Sequence, residues 1–165
     1  MIGFVSSRAV TDPADLDVLE AIEALRNGAL SARELLAACR RRIAERNGGE
    51  PTFDGSPHAV NAFARLYDDV ADVAALAADE RRARAGRRVP ELCGVPIALK
   101  DLFAVGGLPL TASSRVLDGH IADRTAVAWE RLHDDGMVLV GHTHTHEFAA
   151  GGTTDQVGNP WDLAR

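Results

Sequence analysis

Cysteine and long hydrophobic runs are both scarce in this sequence of 165 residues. Two cysteines, Cys39 and Cys93, are too few for a disulfide framework and are typical of a reducing cytoplasm. No window approaches ~18 consecutive apolar residues, so no segment is predicted to span a membrane. The apolar stretch at the N-terminus is too short for a signal-peptide core and lacks a cationic leader. These absences predict a soluble, cytoplasmic protein.

An excess of positive charge is absent as well. The 24 Asp and Glu residues outnumber the 18 Lys and Arg residues, so the formal net charge is -6. This balance argues against nucleic acid and anionic membranes as main partners. The length and the hydrophobic fraction of 46% suffice for one domain with its own core.

Lysine is nearly missing, because Lys100 is the only one and every other cationic side chain is an arginine. It ends the run GVPIALK, which is typical of a strand with Val95, Ile97 and Leu99 on one face. Ala98 and Lys100 then share the other face. A residue at a strand end in an α/β sheet often faces a ligand crevice.

The chemistry of the two cations indicates why one lysine is kept. Arginine retains its proton in proteins, whereas a buried lysine can lose it and act as a general base or a nucleophile. We therefore expect Lys100 to lie in a dry niche that favours the neutral amine. The alternative is a strand-end cation with its head group in solvent, paired with Asp101.

Hydrophobic periodicity predicts alternating helices and strands, and hence an α/β fold. Asp12 and Pro13 mark the start of a helix over residues 12–27, and a Ser31–Glu34 capping box starts the next helix, which ends near Asn47. A third helix of about 20 residues follows residue 67, and a fourth over 124–136 is capped by Asp123 or Thr125. Strands are predicted for NAFARLY, GVPIALKD and MVLVGHT. Residues 50–58, 106–122 and 149–165 are expected to be loops.

The third predicted helix has two marked features. Its end, ERRARAGRR, is rich in arginine, which indicates either a phosphate-binding group or solvated cations that suit the C-terminal end of a helix dipole. Its apolar side is formed by Val70, Val73, Leu76 and Ala77.

Two blocks of the sequence resemble a known family. GVPIALKDLFAVGGLPLTASSRVL resembles the lysine segment of the amidase signature family, and MVLVGHTHTHEFAAGGTTDQVGNPWDLAR resembles the block that follows it there. The resemblance implies the N-terminal part of the amidase-signature fold, with helices packed on a partial mixed sheet. It also implies one partial domain over residues 1–165, with N-terminal helices over 1–50 and the start of the α/β core over 59–165.

The resemblance implies a Ser–cisSer–Lys amidohydrolase that acts on a small-molecule carboxamide without a metal or cofactor. In this family one serine attacks the carbonyl, a second serine after a cis peptide bond relays the proton, and a neutral lysine is the final base. Lys100 matches that lysine. Both serines belong to a Gly/Ser-rich signature after the NPWD block, and the sequence stops before it at Arg165. The chain alone is therefore expected to be inactive.

Further site residues also come from the resemblance. Ser114 matches a serine that helps shape the site, and Asp101 directly follows the lysine. A dyad of Ser113 or Ser114 with Lys100 is an alternative nucleophile. The Gly-rich loop is expected to line a substrate pocket through Ala150, Gly151, Gly152 and Thr153.

The histidines of GHTHTHE offer a different function. In a continued strand His142, His144 and His146 would share a face and form a Zn or Cu site near Glu147. HEFAA is not the zinc-protease motif HExxH, because position 150 is alanine. A metal-binding module is thus one alternative to the amidase interpretation, and a short non-catalytic interaction protein is another.

The sequence does not distinguish a simple amidase from the amidotransferase subunit that supplies ammonia to a misacylated tRNA, nor does it identify the amide. A partial α/β domain should expose apolar strand faces, so we expect self-association or a homodimer. In GNPWD, Pro160 is expected to fix a turn and Trp161 to anchor the loop on the core.

Overall fold

The computed structural model of the protein describes residues 12–85, 88–151 and 156–164. Within these ranges the helices are α1 (Val18–Asn27), α2 (Ala32–Arg46), α3 (Asp68–Ala85) and α4 (Val127–Asp134). The strands are β1 (Phe63–Leu66), β2 (Pro96–Lys100) and β3 (Val138–Thr143). Short 3-10 turns occur at Pro13–Asp15, Arg115–Leu117 and Glu147–Ala149. The predicted α/β class is confirmed.

Side-chain caps set the starts of α1 and α2. α1 begins at Val18 and not at Pro13, because Asp17 accepts a hydrogen bond from the Glu20 N–H while the Glu20 carboxylate accepts one from the Asp17 N–H. The predicted Ser31–Glu34 box is formed and starts α2.

The start of α4 differs from its prediction. The helix begins at Val127 after Ala126, which offers no side-chain cap. Neither Asp123 nor Thr125 caps it, and the Thr125 hydroxyl instead accepts a hydrogen bond from the Gly106 N–H at 3.0 Å. This hydrogen bond therefore stabilises the loop after β2 that contains Gly106.

The strands form one mixed sheet in the order β1-β3-β2. The central strand β3 runs antiparallel to β1 and parallel to β2. A register shift between Ile97 and Ala98 leaves Lys100 opposite Thr143 at the end of the pairing. Because β2 and β3 are parallel, both of their carboxyl ends lie at the same edge of the sheet.

Helix α3 packs through small residues, which corrects the predicted face. Ala71, Ala75 and Ala78 are buried in the same core cluster as β3, whereas Val73 is 70% exposed. Alanine side chains let α3 lie against α2 and the sheet, where Val70, Val73 and Leu76 would need more room. The predicted side is exposed in all four of its members, Val70, Val73, Leu76 and Ala77.

Two arginines at the end of α3 have partners within the protein, one partly buried and one exposed. Arg82 donates from Nε to the carbonyl oxygen of Cys93 at 3.0 Å, and Arg84 pairs with Glu80 one turn earlier at 2.7 Å. These contacts favour the structural interpretation over phosphate binding. Arg87 lies outside the described residues.

Among the described residues, the large exposed apolar side chains lie on helices and loops and not on strands. Exposed apolar strand faces were expected, but Ala98 of β2 is the only apolar residue of the described strands that is exposed. Trp161 is 91% exposed, so the prediction that it anchors its loop on the core is wrong. No described helix combines the length and the apolarity needed to cross a membrane.

Candidate active site

Lys100 is the last residue of β2, at the edge where β2 and β3 both end. Its side chain is exposed, as is Ala98 on the same face, whereas Leu99 between them is buried. The predicted alternation along the strand is thus confirmed. The expectation of a dry niche is wrong for the described residues, because they leave this face of β2 open to solvent.

Asp101 turns away from the lysine and is fully buried. Its carboxylate pairs with the guanidinium of Arg65 on β1, with Nη1 to Oδ1 at 3.1 Å. Thr111 donates to the same carboxylate from its hydroxyl at 2.5 Å and from its backbone N–H at 3.3 Å. The carboxylate therefore joins β1, the end of β2 and the Thr111 segment, and the alternative ion pair with Lys100 is not formed.

Residues 111–114, here called the TASS turn, are buried beside this carboxylate. Ala112 and Ser113 have φ angles of 49° and 51°, in the left-handed region, which costs a non-glycine residue roughly 1–2 kcal/mol. The Ser114 hydroxyl donates to Oε1 of Glu147 at 2.6 Å. Such strain persists only where neighbouring segments hold it, and here the chain after β3 does so.

His142 is a buried histidine within β3. Its Nε2 lies 3.0 Å from the carbonyl oxygen of Phe103, which can only accept, so Nε2 carries the hydrogen. Nδ1 then accepts from the Tyr67 hydroxyl at 2.7 Å. Burial lowers the pKa of His142, and the charge of Asp101 opposes that shift. The side chain is thus a neutral, satisfied part of the core.

His144, just after β3, contacts a different part of the fold. Its Nε2 lies 2.9 Å from the carbonyl oxygen of Thr52, and its Nδ1 lies 3.2 Å from the Ser113 hydroxyl. Burial lowers the pKa of His144, and the hydrogen bond to Thr52 opposes the shift. Because the Ser113 and Ser114 hydroxyls bind His144 and Glu147, neither forms the alternative dyad with Lys100.

The aligned imidazoles of the metal hypothesis are not formed. Protein groups occupy both ring nitrogens of His142 and of His144, while His146 is half-buried just before the last 3-10 turn. Over residues 12–85, 88–151 and 156–164, no three His, Cys, Asp or Glu side chains come together as a metal site. The geometry favours the first two histidines as structural anchors.

The Gly-rich loop begins beside the TASS turn. Ala150 and Gly151 are exposed, and Gly151 has φ 127°, a backbone conformation that favours glycine. Gly152 and Thr153 lie outside the described residues. The pocket-lining role of this loop stays a prediction.

Sequence reasoning missed two polar residues that organise this edge, Arg65 and Asn61. Both belong to the NAFARLY segment, for which the sequence predicts only a short strand. A cation in a four-residue strand was an available signal, since burying it requires a partner. Asn61 gave no signal, because its side chain binds Thr52 and Gln156, which are 9 and 95 residues away.

Comparison with known proteins identifies relatives of this arrangement. A family model described as Amidase matches residues 54–165. A glutamyl-tRNA(Gln) amidotransferase subunit of Chloroflexus aurantiacus is 42% identical over 161 residues, which cover 94% of this chain and 31% of that protein. The chain therefore spans less than a third of the length of such curated relatives.

Solved structures share the fold. A vestigial protein complex that reveals the evolutionary origins of an s-triazine catabolic enzyme matches with a TM-score of 0.78 and 32% identity, over 90% of this chain and 31% of that chain. The native peptide amidase from Stenotrophomonas maltophilia matches with a TM-score of 0.66 and 30% identity, over 82% of this chain and 26% of that chain.

Proposed function

The chain belongs to the amidase family, and from this premise we propose that it supplies the lysine base of an enzyme that hydrolyses a carboxamide by Ser–cisSer–Lys chemistry. The observation that carries the proposal is the position of Lys100. It stands at the shared carboxyl edge of two parallel strands, and no carboxylate among the described residues pairs with it. An approaching serine would meet an amine without a competing partner.

In the proposed reaction, one proton moves from the nucleophilic serine to Lys100 and then to the leaving group. The nucleophilic serine oxygen bonds to the amide carbon, and its proton passes through the second serine to the neutral Nζ of Lys100. Lys100 then returns the proton to the leaving nitrogen as the C–N bond breaks, and water releases the acyl group in the same way. Arginine cannot serve here, because its guanidinium stays charged in proteins.

We propose further that the 165 residues alone do not perform this reaction. A neutral lysine at neutral pH needs burial, and Lys100 is exposed in the described part of the chain. The relatives are more than three times as long as the stretch that this chain matches. The additional length would cover the open face of β2 and bring the two serines to it.

The test is amide hydrolysis by the chain extended to the length of its relatives. Lys100→Ala should lower kcat/KM by about 100- to 10,000-fold, which is the usual contribution of a general base. Lys100→Arg is the matched control, since arginine is a cation of similar length that cannot lose its proton. It should be as inactive as Lys100→Ala.

Three results would contradict the proposal. Activity retained in Lys100→Arg would mean that only a positive charge is needed. Hydrolysis by the 165-residue chain that Lys100→Ala abolishes would refute its inactivity alone. An extended protein without activity on any carboxamide would favour the non-catalytic interaction protein instead.

The curated relatives favour one version of this function. They are named as subunits of glutamyl-tRNA(Gln) amidotransferase, in bacteria and in Xenopus laevis mitochondria. In this version the carboxamide is an ammonia donor, and partner subunits and a tRNA complete the reaction. Turnover that rises when glutamyl-tRNA(Gln) and such partners are added would support it, whereas full activity of the isolated protein on peptide amides would favour a simple amidase.

A further inference from the structure

A buried polar network holds the TASS turn to two other segments of the chain. The exposed fraction is 2% for Asn61, 4% for Ser113 and 9% for His144. The network joins the loop before β1, the TASS turn and the exit from β3. None of its residues takes part in the proposed amide hydrolysis, so its behaviour does not depend on that activity.

The hydrogen positions follow from groups that can only accept. The Thr52 carbonyl oxygen lies 2.9 Å from Nε2 of His144, so Nε2 carries the hydrogen. The two amide hydrogens of Asn61 go to the carbonyl oxygens of Thr52 and Gln156, each at 2.9 Å. The approach of Asn61 Nδ2 to Nε2 at 3.3 Å therefore adds no hydrogen bond.

Ser113 closes the network on the other side of the ring. Its hydroxyl oxygen accepts a hydrogen bond from the Thr145 N–H at 3.0 Å. Its hydroxyl hydrogen is donated to Nδ1 of His144, 3.2 Å away, which can accept it only while the imidazole is neutral. The neutral Nε2–H tautomer thus gives a hydrogen-bond partner to both ring nitrogens of His144, to the Ser113 hydroxyl and to the Thr145 N–H.

Protonation of Nδ1 would reverse the direction of the hydrogen bond between Ser113 and His144 and would disrupt this network. The ring would then donate to Ser113, whose oxygen would receive two donors while its own hydrogen lost its acceptor. Both residues are buried, so water cannot replace the lost partner without opening the turn. The left-handed φ angles of Ala112 and Ser113 favour opening, because strained backbone relaxes once its contacts are released.

We propose that His144 is a pH-sensitive latch on the TASS turn, closed as a neutral imidazole and opened by protonation at Nδ1. The burial that lowers the pKa of His144 keeps the latch closed at neutral pH. It opens on acidification, below the ordinary histidine value of about 6.5. This edge of the fold, where Lys100 also lies, therefore loosens in acid.

The charged groups near His144 have opposite effects on its pKa. Asp101 raises and Arg65 lowers the pKa of His144, and the two are paired with each other. On the loop before β1, Phe53 meets the imidazole edge-on with 6.5 Å between ring centroids, and Arg115 lies 4.9 Å from the Phe53 centroid. Three further titratable groups lie on the segments that contact His144. Asp54 pairs with Arg115, Glu147 accepts a hydrogen bond from Ser114, and His142 is neutral.

Hydrogen exchange of the Thr145 and Phe148 amides tests the latch, because these N–H groups donate to Ser113 and to the Ala112 carbonyl. Protection factors would be measured between pH 7.5 and 5.0 and corrected for the intrinsic rate at each pH. The expected result is a loss of at least tenfold in protection at both amides. Histidine ¹⁵N shifts at pH 7.5 should show hydrogen on Nε2 of His144 and none on Nδ1.

Two variants and one control separate the latch from general acid unfolding. His144→Asn keeps an acceptor for Ser113, His144→Gln keeps a donor for Thr52, and neither titrates, so both should lose the pH response. His144→Asn should also retain most of the protection at Thr145. Tyr67→Phe removes the partner of His142 instead and should keep the response of the parent protein.

The opposite results overturn the proposal. Constant protection of both amides across the pH range in which the ¹⁵N shifts of His144 report its protonation would show that protonation does not open the turn. A response that persists in both His144 variants would assign it to another group. Hydrogen on Nδ1 of His144 at neutral pH would remove the mechanism itself.

Discussion

At the scale of single residues, the Arg65–Asp101 pair shows how a carboxylate next to the site is buried. Asp101 has no exposed surface, whereas the Arg65 side chain is 20% exposed. Arg65 also donates to the Pro109 carbonyl oxygen at 3.2 Å and to the Thr111 hydroxyl at 2.9 Å. The pair is thus part of a network in which the loss of one charge leaves the other without compensation.

Asp101→Asn should therefore lower the free energy of unfolding by about 3 kcal/mol, near the low end for a broken buried pair because Arg65 retains some contact with water. Urea denaturation measures this change. The matched variant is Asp123→Asn, whose pair with Arg124 has both side chains more than 80% exposed and should change stability by no more than about 0.5 kcal/mol. Equal effects of the two substitutions would contradict the assigned role.

At the scale of elements, the start of α2 has two caps. Ser31 accepts from the Glu34 N–H within the helix's own capping box. Asp79 of α3 supplies a second cap, because its Oδ1 accepts from the Ala32 N–H at 2.7 Å and its Oδ2 pairs with Arg33 at 3.0 Å. One carboxylate therefore stabilises α2 and fixes its position on α3.

Asp79→Ala should lower the free energy of unfolding by about 1–2 kcal/mol. This is the upper part of the range for a lost helix cap, because the substitution also removes a contact between two helices that pack together. The adjacent Glu80→Gln is a suitable control, because it alters only an exposed pair with Arg84 and should cost less than about 0.5 kcal/mol. Both are measured by chemical denaturation with far-UV circular dichroism. An Asp79→Ala protein as stable as the control would show that the cap from α3 contributes nothing.

At the scale of the whole molecule, the pKa shifts give stability an optimum near neutral pH. Burial lowers the pKa of His142 and of His144, so the unfolded chain binds more protons than the folded chain as the pH falls below about 6.5. Their contribution is thus complete above that value and is lost in acid. Burial raises the pKa of Cys39 and of Cys93, and their contribution is lost above about pH 8.5.

The midpoint of thermal unfolding should accordingly be constant from about pH 7 to 8 and should fall from about pH 6.5 downward. A further and smaller loss is expected below about pH 4, where the half-buried carboxylate of Asp12 and the exposed carboxylates of Asp15 and Glu34 lose the hydrogen bonds that lower their pKa. His120→Gln replaces an exposed histidine and should leave the profile unchanged. A midpoint that is flat or rises between pH 7 and 5 would contradict this expectation.

Part of the site could be predicted from the sequence because its signals are local. Lys100 stood out as the only lysine at the end of an alternating strand, and the alternation and the mixed sheet are confirmed. The exposure of Lys100 could not be predicted, because it depends on which segments cover one face of β2. Self-association stays a prediction, and sedimentation of the chain can test it.

The sequence by itself determined the order of helices and strands, the Ser31–Glu34 box and membership of the amidase family, because periodicity, caps and motifs are written within short stretches of chain. Only the tertiary structure decided that α3 packs by its alanines, that Asp101 pairs with Arg65 and that His144 binds Thr52 and Ser113. These contacts join residues 31 to 92 positions apart, as in the Ser113–His144 and Thr52–His144 pairs. Their energy comes from burial and from shared hydrogen bonds, which exist only once the segments have come together.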